Sequence, residues 1–142
     1  MNIKKILLIL VGLGLAVFLL IQLIPVDRNN PPVSAEPKWS SPEARTLVKQ
    51  NCFQCHSNET EWPWYSSVAP ASWLIKFDVV NGRNTFNFSE WDKNPGNLSE
   101  MVEEIQRGSM PPFQYTLFHP SSKLNAQQKQ ALIEALTTTL GQ

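Results

Sequence analysis

Cysteine and histidine are scarce in this chain, with two of each among 142 residues. Cys52 and Cys55 cannot build the multi-bridge framework of a small disulfide-stapled domain, and a bridge across two intervening residues closes too small a loop to stabilise much. A structural zinc site needs four ligands. The whole supply of such thiol and imidazole donors is Cys52, Cys55, His56 and His119, and the adjacent Cys55 and His56 are poorly placed to share one tetrahedral ion. An excess of either charge is missing too: 12 Lys+Arg face 12 Asp+Glu, and without Lys4 and Lys5 near the start the remainder is mildly acidic. That balance offers no basic patch for nucleic acid, so none is expected as a partner. The chain has no internal repeat and no βαβ pattern of the kind that houses a redox C-x-x-C. Its length bounds it to one small domain.

The two cysteines are nevertheless placed with meaning. They fall in Cys52-Phe53-Gln54-Cys55-His56, which reads C-x-x-C-H, the attachment signature of a c-type haem. Two thiols three positions apart on a helical turn can each form a thioether to one haem vinyl group, and the next residue offers an imidazole nitrogen to the iron. Phe53 and Gln54, between the thiols, read as unconstrained. Eleven prolines and five tryptophans are many for this length. They point to ordered loops and large rings, and a covalently held haem helps so small a domain form a core.

Taken in order, the chain opens with Lys4 and Lys5 and then runs apolar from Ile6 to Ile24, broken by Gly12, Gly14 and Gln22. This is long enough to span a bilayer and longer than the apolar part of a secretory signal. A small-residue cleavage site exists at Val33-Ser34-Ala35, well beyond the apolar run, so an uncleaved signal anchor over 1–25 is favoured over a cleaved signal. The lysines place the N-terminus in the cytoplasm and the rest outside the inner membrane, where c-type haems are attached. Residues 26–38, with Pro31, Pro32 and Pro37, read as an extended tether without a core. The haem-binding domain is expected over 39–142.

Ser41-Pro42-Glu43 supplies a cap, a first-turn proline and an acid, and Ala44, Leu47, Val48 and Cys52 follow on one face, so a helix ends in the haem motif. A second helix is expected after Pro70, capped by Ser72 and ended by Gly82. Phe86–Trp91 reads as a loop, since the alternation of Phe86 and Phe88 is too short for a strand. Asn97 caps a helix that stops at Gly108, and Asn125 with Gln128 opens a last helix whose stripe of Leu132, Ile133, Leu136 and Leu140 packs on the first helix of the domain. The fold expected is mostly α: a small cytochrome c-like helical domain around one covalent haem, behind a single transmembrane helix.

A second axial ligand must come from elsewhere. Gly108-Ser109-Met110-Pro111-Pro112 holds Met110 on a segment that two prolines keep out of helix and extended, which suits an axial thioether. Met101 is explained by core packing on its helix, and His119 remains the alternative ligand. Trp62, Trp64 and Tyr65 are candidates to pack on the haem edge, against the ordinary reading of core or surface aromatics. Arg83 is a candidate partner for a propionate, against a solvated arginine.

These segments together resemble the bacterial haem-binding-domain family of small monohaem c-type cytochromes. The resemblance runs from Trp39 to about Leu140. It rests on the C-x-x-C-H motif, on Trp62-Pro63-Trp64-Tyr65-Ser66 with Ala69-Pro70 and Trp73-Leu74-Ile75, on Asn87-Phe88-Ser89 with Trp91, and on Gly108–Pro112 with Tyr115 and His119-Pro120. It implies haem c bound through Cys52, Cys55 and His56 in a helical fold similar to class I cytochromes c, with Tyr115 a further candidate for the pocket. The function expected is electron transfer to redox partner proteins at the periplasmic face of the inner membrane, not catalysis. A haem-based sensor, or a haem-bearing accessory subunit of a larger membrane complex, is the alternative.

Overall fold

The computed structural model describes residues Asn2–Gly141. Among the described residues six α-helices run in order: α1 (Ile3–Ile21), α2 (Pro42–His56), α3 (Ala71–Thr85), α4 (Leu98–Arg107), α5 (Phe113–Phe118) and α6 (Ala126–Leu140). Among the described residues there is no strand, only an isolated parallel bridge between Ala35 and Glu90. The fold is therefore mostly helical. It divides into two compact units: Met1–Asn29 with Trp62–Asp78, and Asn30–Glu61 with Val79–Gln142.

In the first unit, Asn2 caps α1 by accepting from the Lys4 amide. The helix has no polar face, and its 19 residues are long and apolar enough to cross a membrane. Gln22, just past its end, spans to Ala69: its Nε2 donates to the Ala69 carbonyl at 3.1 Å, and its Oε1 accepts the Ala69 amide at 2.9 Å. Asp27 pairs with Lys76 at 3.6 Å, and Arg28 donates to Ser67.

The second unit is built on α2, α4 and α6, with α6 packed against both of the others. Val48 and Phe53 from α2, Met101 and Ile105 from α4, and Leu132 and Leu136 from α6 meet in one core with Phe88. Burying each such side chain stabilises the fold by about 1.5–3 kcal/mol. The caps follow the expected chemistry. Asn125 and Gln128 form a reciprocal capping box on α6, and Asn97 accepts the Ser99 and Glu100 amides at the start of α4. Gly108 closes α4 at φ 80°, a left-handed conformation that favours glycine.

Three features depart from the sequence expectation. α3 begins at Ala71, so Ser72 lies inside its first turn, and it continues past Gly82 to Thr85. Gly82 serves close packing, described below, rather than termination. A short helix, α5, stands directly after Pro112, where no periodic pattern announced one. The stretch 30–38 is not a free tether. Ser34 and Ala35 amides donate to the Ser89 carbonyl, the Trp91 amide donates to the Ala35 carbonyl, and Glu36 forms a two-point ion pair with Arg45 at 2.6 and 2.8 Å. Proline-rich backbone cannot pair with itself, so its carbonyls and few amides bind the neighbouring loop.

Candidate haem site

α2 delivers the C-x-x-C-H motif in its last two turns. Ser41 accepts the Ala44 amide at 3.1 Å, Pro42 occupies the first turn, and the helix runs to His56. Phe53, which the sequence left unconstrained, is 2% exposed. It stacks on Phe88 with centroids 5.4 Å apart, meets Trp39 at 6.1 Å, and carries the Arg45 guanidinium over its ring. The residue between the thiols therefore anchors the motif in the core. Gln54 is used as well: its side chain accepts the Glu61 amide, and its carbonyl accepts the Thr60 hydroxyl.

α3 crosses the motif at Gly82. A Cβ there would stand 2.5 Å from the Cys55 carbonyl oxygen and 2.9 Å from Cys55 Cβ, so the absence of a side chain is what allows this approach. The His56 ring lies on Phe86, centroids 3.9 Å apart and planes 9° from parallel. The Phe88 amide donates to the His56 carbonyl at 2.8 Å.

His56 is buried, and its Nδ1 has no hydrogen-bond partner. Burial lowers its pKa below the ordinary imidazole value, opposed by backbone groups of Phe86 and Gly82, so the ring is held neutral and ready to coordinate. The two thiols are not joined in a disulfide. Burial, with Cys55 alongside, pushes the Cys52 thiol up to about 12. A thiol held protonated is a poor redox or exchange nucleophile.

The loop after the motif is fixed by buried polar groups, among them Asn58, which the sequence reading did not single out. Asn58 donates to Glu90 at 3.0 Å and to the Pro32 carbonyl at 3.1 Å, and accepts from Asn87 at 2.9 Å. The Asn58 amide donates to Ser89 Oγ, and the Ser89 amide to Asn87 Oδ1. Asn87-Phe88-Ser89-Glu90 is thus a bracket around the backbone leaving His56. Arg83 completes it: Nε donates to the Ser57 carbonyl at 2.8 Å, and the guanidinium also reaches Asn30 at 2.7 Å and Thr60 at 3.0 Å. Those bonds give Arg83 a positioning role on the motif's exit.

The remaining candidates are placed as follows. Met110 is 39% exposed, whereas Met101 is 7% exposed and belongs to the core. The Ser109 and Met110 amides both reach back to the Glu104 carbonyl, so this segment bends against the end of α4 rather than extending. His119 stacks on Tyr115 at 4.3 Å, and its Nδ1 lies 3.2 Å from the Tyr115 carbonyl. Trp62, Trp64 and Tyr65 belong to the first unit, where Trp64 meets Tyr65 edge-on and is 80% exposed.

The donor set fits a haem better than a bare metal ion. Among the described residues, no group of three or more His, Cys, Asp or Glu side chains could hold a metal ion. A haem asks this side of the site for one imidazole, and His56 offers a buried ring with an unmet nitrogen one residue from a cysteine.

Comparison with known proteins agrees with that chemistry. Cytochrome c peroxidase Ccp of Escherichia coli is 23% identical over 95 residues, covering 61% of this chain and 20% of that protein. The chain therefore spans about a fifth of the length of this curated relative. No solved structure matches. The family described as haem-binding domain matches residues 16–138, which include Cys52–His56, the Asn87–Ser89 bracket and Met110; the chain belongs to the haem-binding domain family.

Proposed function

We propose that this chain is a membrane-anchored monohaem c-type cytochrome that transfers electrons on the extracytoplasmic side of the inner membrane. The observation that carries the proposal is the buried His56 imidazole with its partnerless Nδ1 at the end of α2, beside two cysteines of a C-x-x-C-H motif. Haem iron, when bound, supplies a one-electron ferrous/ferric couple. Cys52 and Cys55 would hold it by thioethers and His56 by its ring. Met110 would close the opposite side, and its exposure leaves the thioether available where the buried Met101 is not. If His56 and Met110 both hold the iron, no substrate would reach it. α1 would hold the domain at the membrane, raising its concentration near membrane-bound redox partners.

The far-red sulfur-to-iron band of the ferric protein tests the ligand assignment. It should be present in the wild type and vanish in Met110→Ala. Loss in Met101→Ala instead, or in His119→Ala, contradicts the assignment.

The similarity to a cytochrome c peroxidase supports a second reading, in which the chain handles peroxide. The single C-x-x-C-H favours electron transfer. The reduced protein should bind carbon monoxide slowly and show no peroxide turnover; rapid binding or turnover would favour the second reading or a sensor.

A further inference from the structure

The first unit carries an exposed apolar surface. Trp64 is 80% and Phe77 64% exposed, and Trp73 and Leu74, in the same helix as Phe77, are exposed as well. Trp73, Leu74 and Phe77 lie at i, i+1 and i+4 of α3, hence on one face of that helix. Two exposed rings and a leucine on one helix face, with Trp64 exposed a few residues before that helix, are unusual on a surface that meets only water.

Their location relative to α1 indicates what meets them. Nineteen helical residues rise about 28 Å, close to the thickness of a bilayer's hydrocarbon core. The end of α1 therefore falls at the far membrane–water boundary. At that end Gln22 grips Ala69 by both its donor and its acceptor, at 3.1 and 2.9 Å, while Nε2 also donates to the Phe18 carbonyl at 2.8 Å. Lys76 pairs with Asp27 and Arg28 with Ser67 a few residues further on. The segment that bears the aromatic surface is thus pinned at three points to the residues leaving the membrane. Tryptophans concentrate at that depth because an apolar ring with a polar N–H suits the headgroup–acyl boundary.

We propose that Trp62–Asp78 is a membrane-interfacial platform that seats Trp64, Trp73, Leu74 and Phe77 in the outer boundary of a phospholipid bilayer. The inference rests on the reading of α1 as a membrane anchor. It turns that anchor from a single helix into a helix with a broad foot, and it assigns Gln22 as the residue that fastens the foot.

The test uses the full haem-loaded chain in nanodiscs of phosphatidylcholine and phosphatidylglycerol. Spin labels are placed at Trp64→Cys, Leu74→Cys and Phe77→Cys, with Leu13→Cys in α1 and Glu134→Cys in α6 as references and the unmodified chain as labelling blank. Oxygen, which partitions into lipid, should relax the labels at 64, 74 and 77 several-fold more than a water-soluble nickel chelate does, with the reverse at 134. In Gln22→Ala the oxygen preference at 64 should fall several-fold while that at 13 persists. Labels at 64, 74 and 77 that follow position 134 overturn the platform. So does shielding from both reagents, which would mean that haem or a protein covers the surface. If Leu13→Cys itself is open to the chelate, the anchor reading fails with it; if Leu13→Cys stays in lipid, only the platform fails.

Discussion

The imidazole of His56 lies flat on the ring of Phe86, 3.9 Å between centroids, while the backbone two residues further on bonds its carbonyl. One short loop thus orients both the ring and the main chain of the residue that ends the C-x-x-C-H motif. Removing the ring in Phe86→Ala should destabilise the protein by about 2–4 kcal/mol, as large-to-small changes at packed sites do. It should also broaden the spread of ferric g values in electron paramagnetic resonance, because the imidazole would sample more orientations. A melt lowered with an unaltered resonance would assign Phe86 to packing alone.

Gly82 sets two effects against each other. Alanine gains about 1 kcal/mol of helix propensity over glycine. Against it stands a Cβ 2.5 Å from the Cys55 carbonyl, and that neighbour is backbone, which cannot swing aside. Overpacking of this kind costs about 1–3 kcal/mol. Gly82→Ala is therefore expected to lower the thermal midpoint and the yield of haem-loaded protein. A raised midpoint would show that α2 and α3 separate freely.

Arg83 makes its bonds to Ser57, Thr60 and Asn30. Arg83→Ala leaves those acceptors to find water, and the expected loss is about 2–3 kcal/mol, at the upper range for hydrogen bonds to a charged group. The visible spectrum and midpoint potential should stay close to wild type. A large shift in potential at unchanged stability would place the guanidinium on a propionate instead.

Acid should loosen the stretch before α2. Hydrogen bonding from Arg45 holds the Glu36 carboxyl below its usual 4.5; burial opposes this, and the Trp39 indole N–H adds to the lowering. The unfolded chain, with the ordinary value, takes up the Glu36 proton first as pH falls, so stability drops with it. The contribution is whole above about 4.5 and is lost as pH descends through the lower folded value. Glu36→Gln should cost about 1 kcal/mol or less at neutral pH, since solvent screens the pair. It should also flatten part of the acid limb of a stability–pH curve followed by circular dichroism. Glu43, held low by backbone and by Ser41, keeps its share in both proteins. An identical acid limb would contradict the coupling.

The sequence exposed those features whose chemistry is local. Ser41-Pro42-Glu43, Asn97 with Gly108, and Asn125 with Gln128 each carry their helix boundary within four residues or at a stop glycine. The apolar stripe of α6 likewise names its own buried face. What stayed hidden depends on partners far along the chain. Phe53 looks free until Phe88 and Trp39 close on it. Asn58 is an ordinary loop residue until the chain folds back and Asn87, 29 positions further on, bonds to it. The stretch 30–38 has the same composition bound or free, and only Ser89 and Arg45 reveal which holds. Gly82 resembled a helix stop because the same residue type also permits close approach.

The proposed function requires that Cys52, Cys55 and His56 hold one haem, with both cysteines in thioether bonds. A pyridine haemochrome spectrum of the purified full chain tests it most directly. The expected spectrum is that of a haem with both vinyl groups saturated, one per chain, retained through denaturation. A spectrum of haem with intact vinyl groups, extractable by acidic solvent, or a chain purified with zinc and no haem, would contradict it.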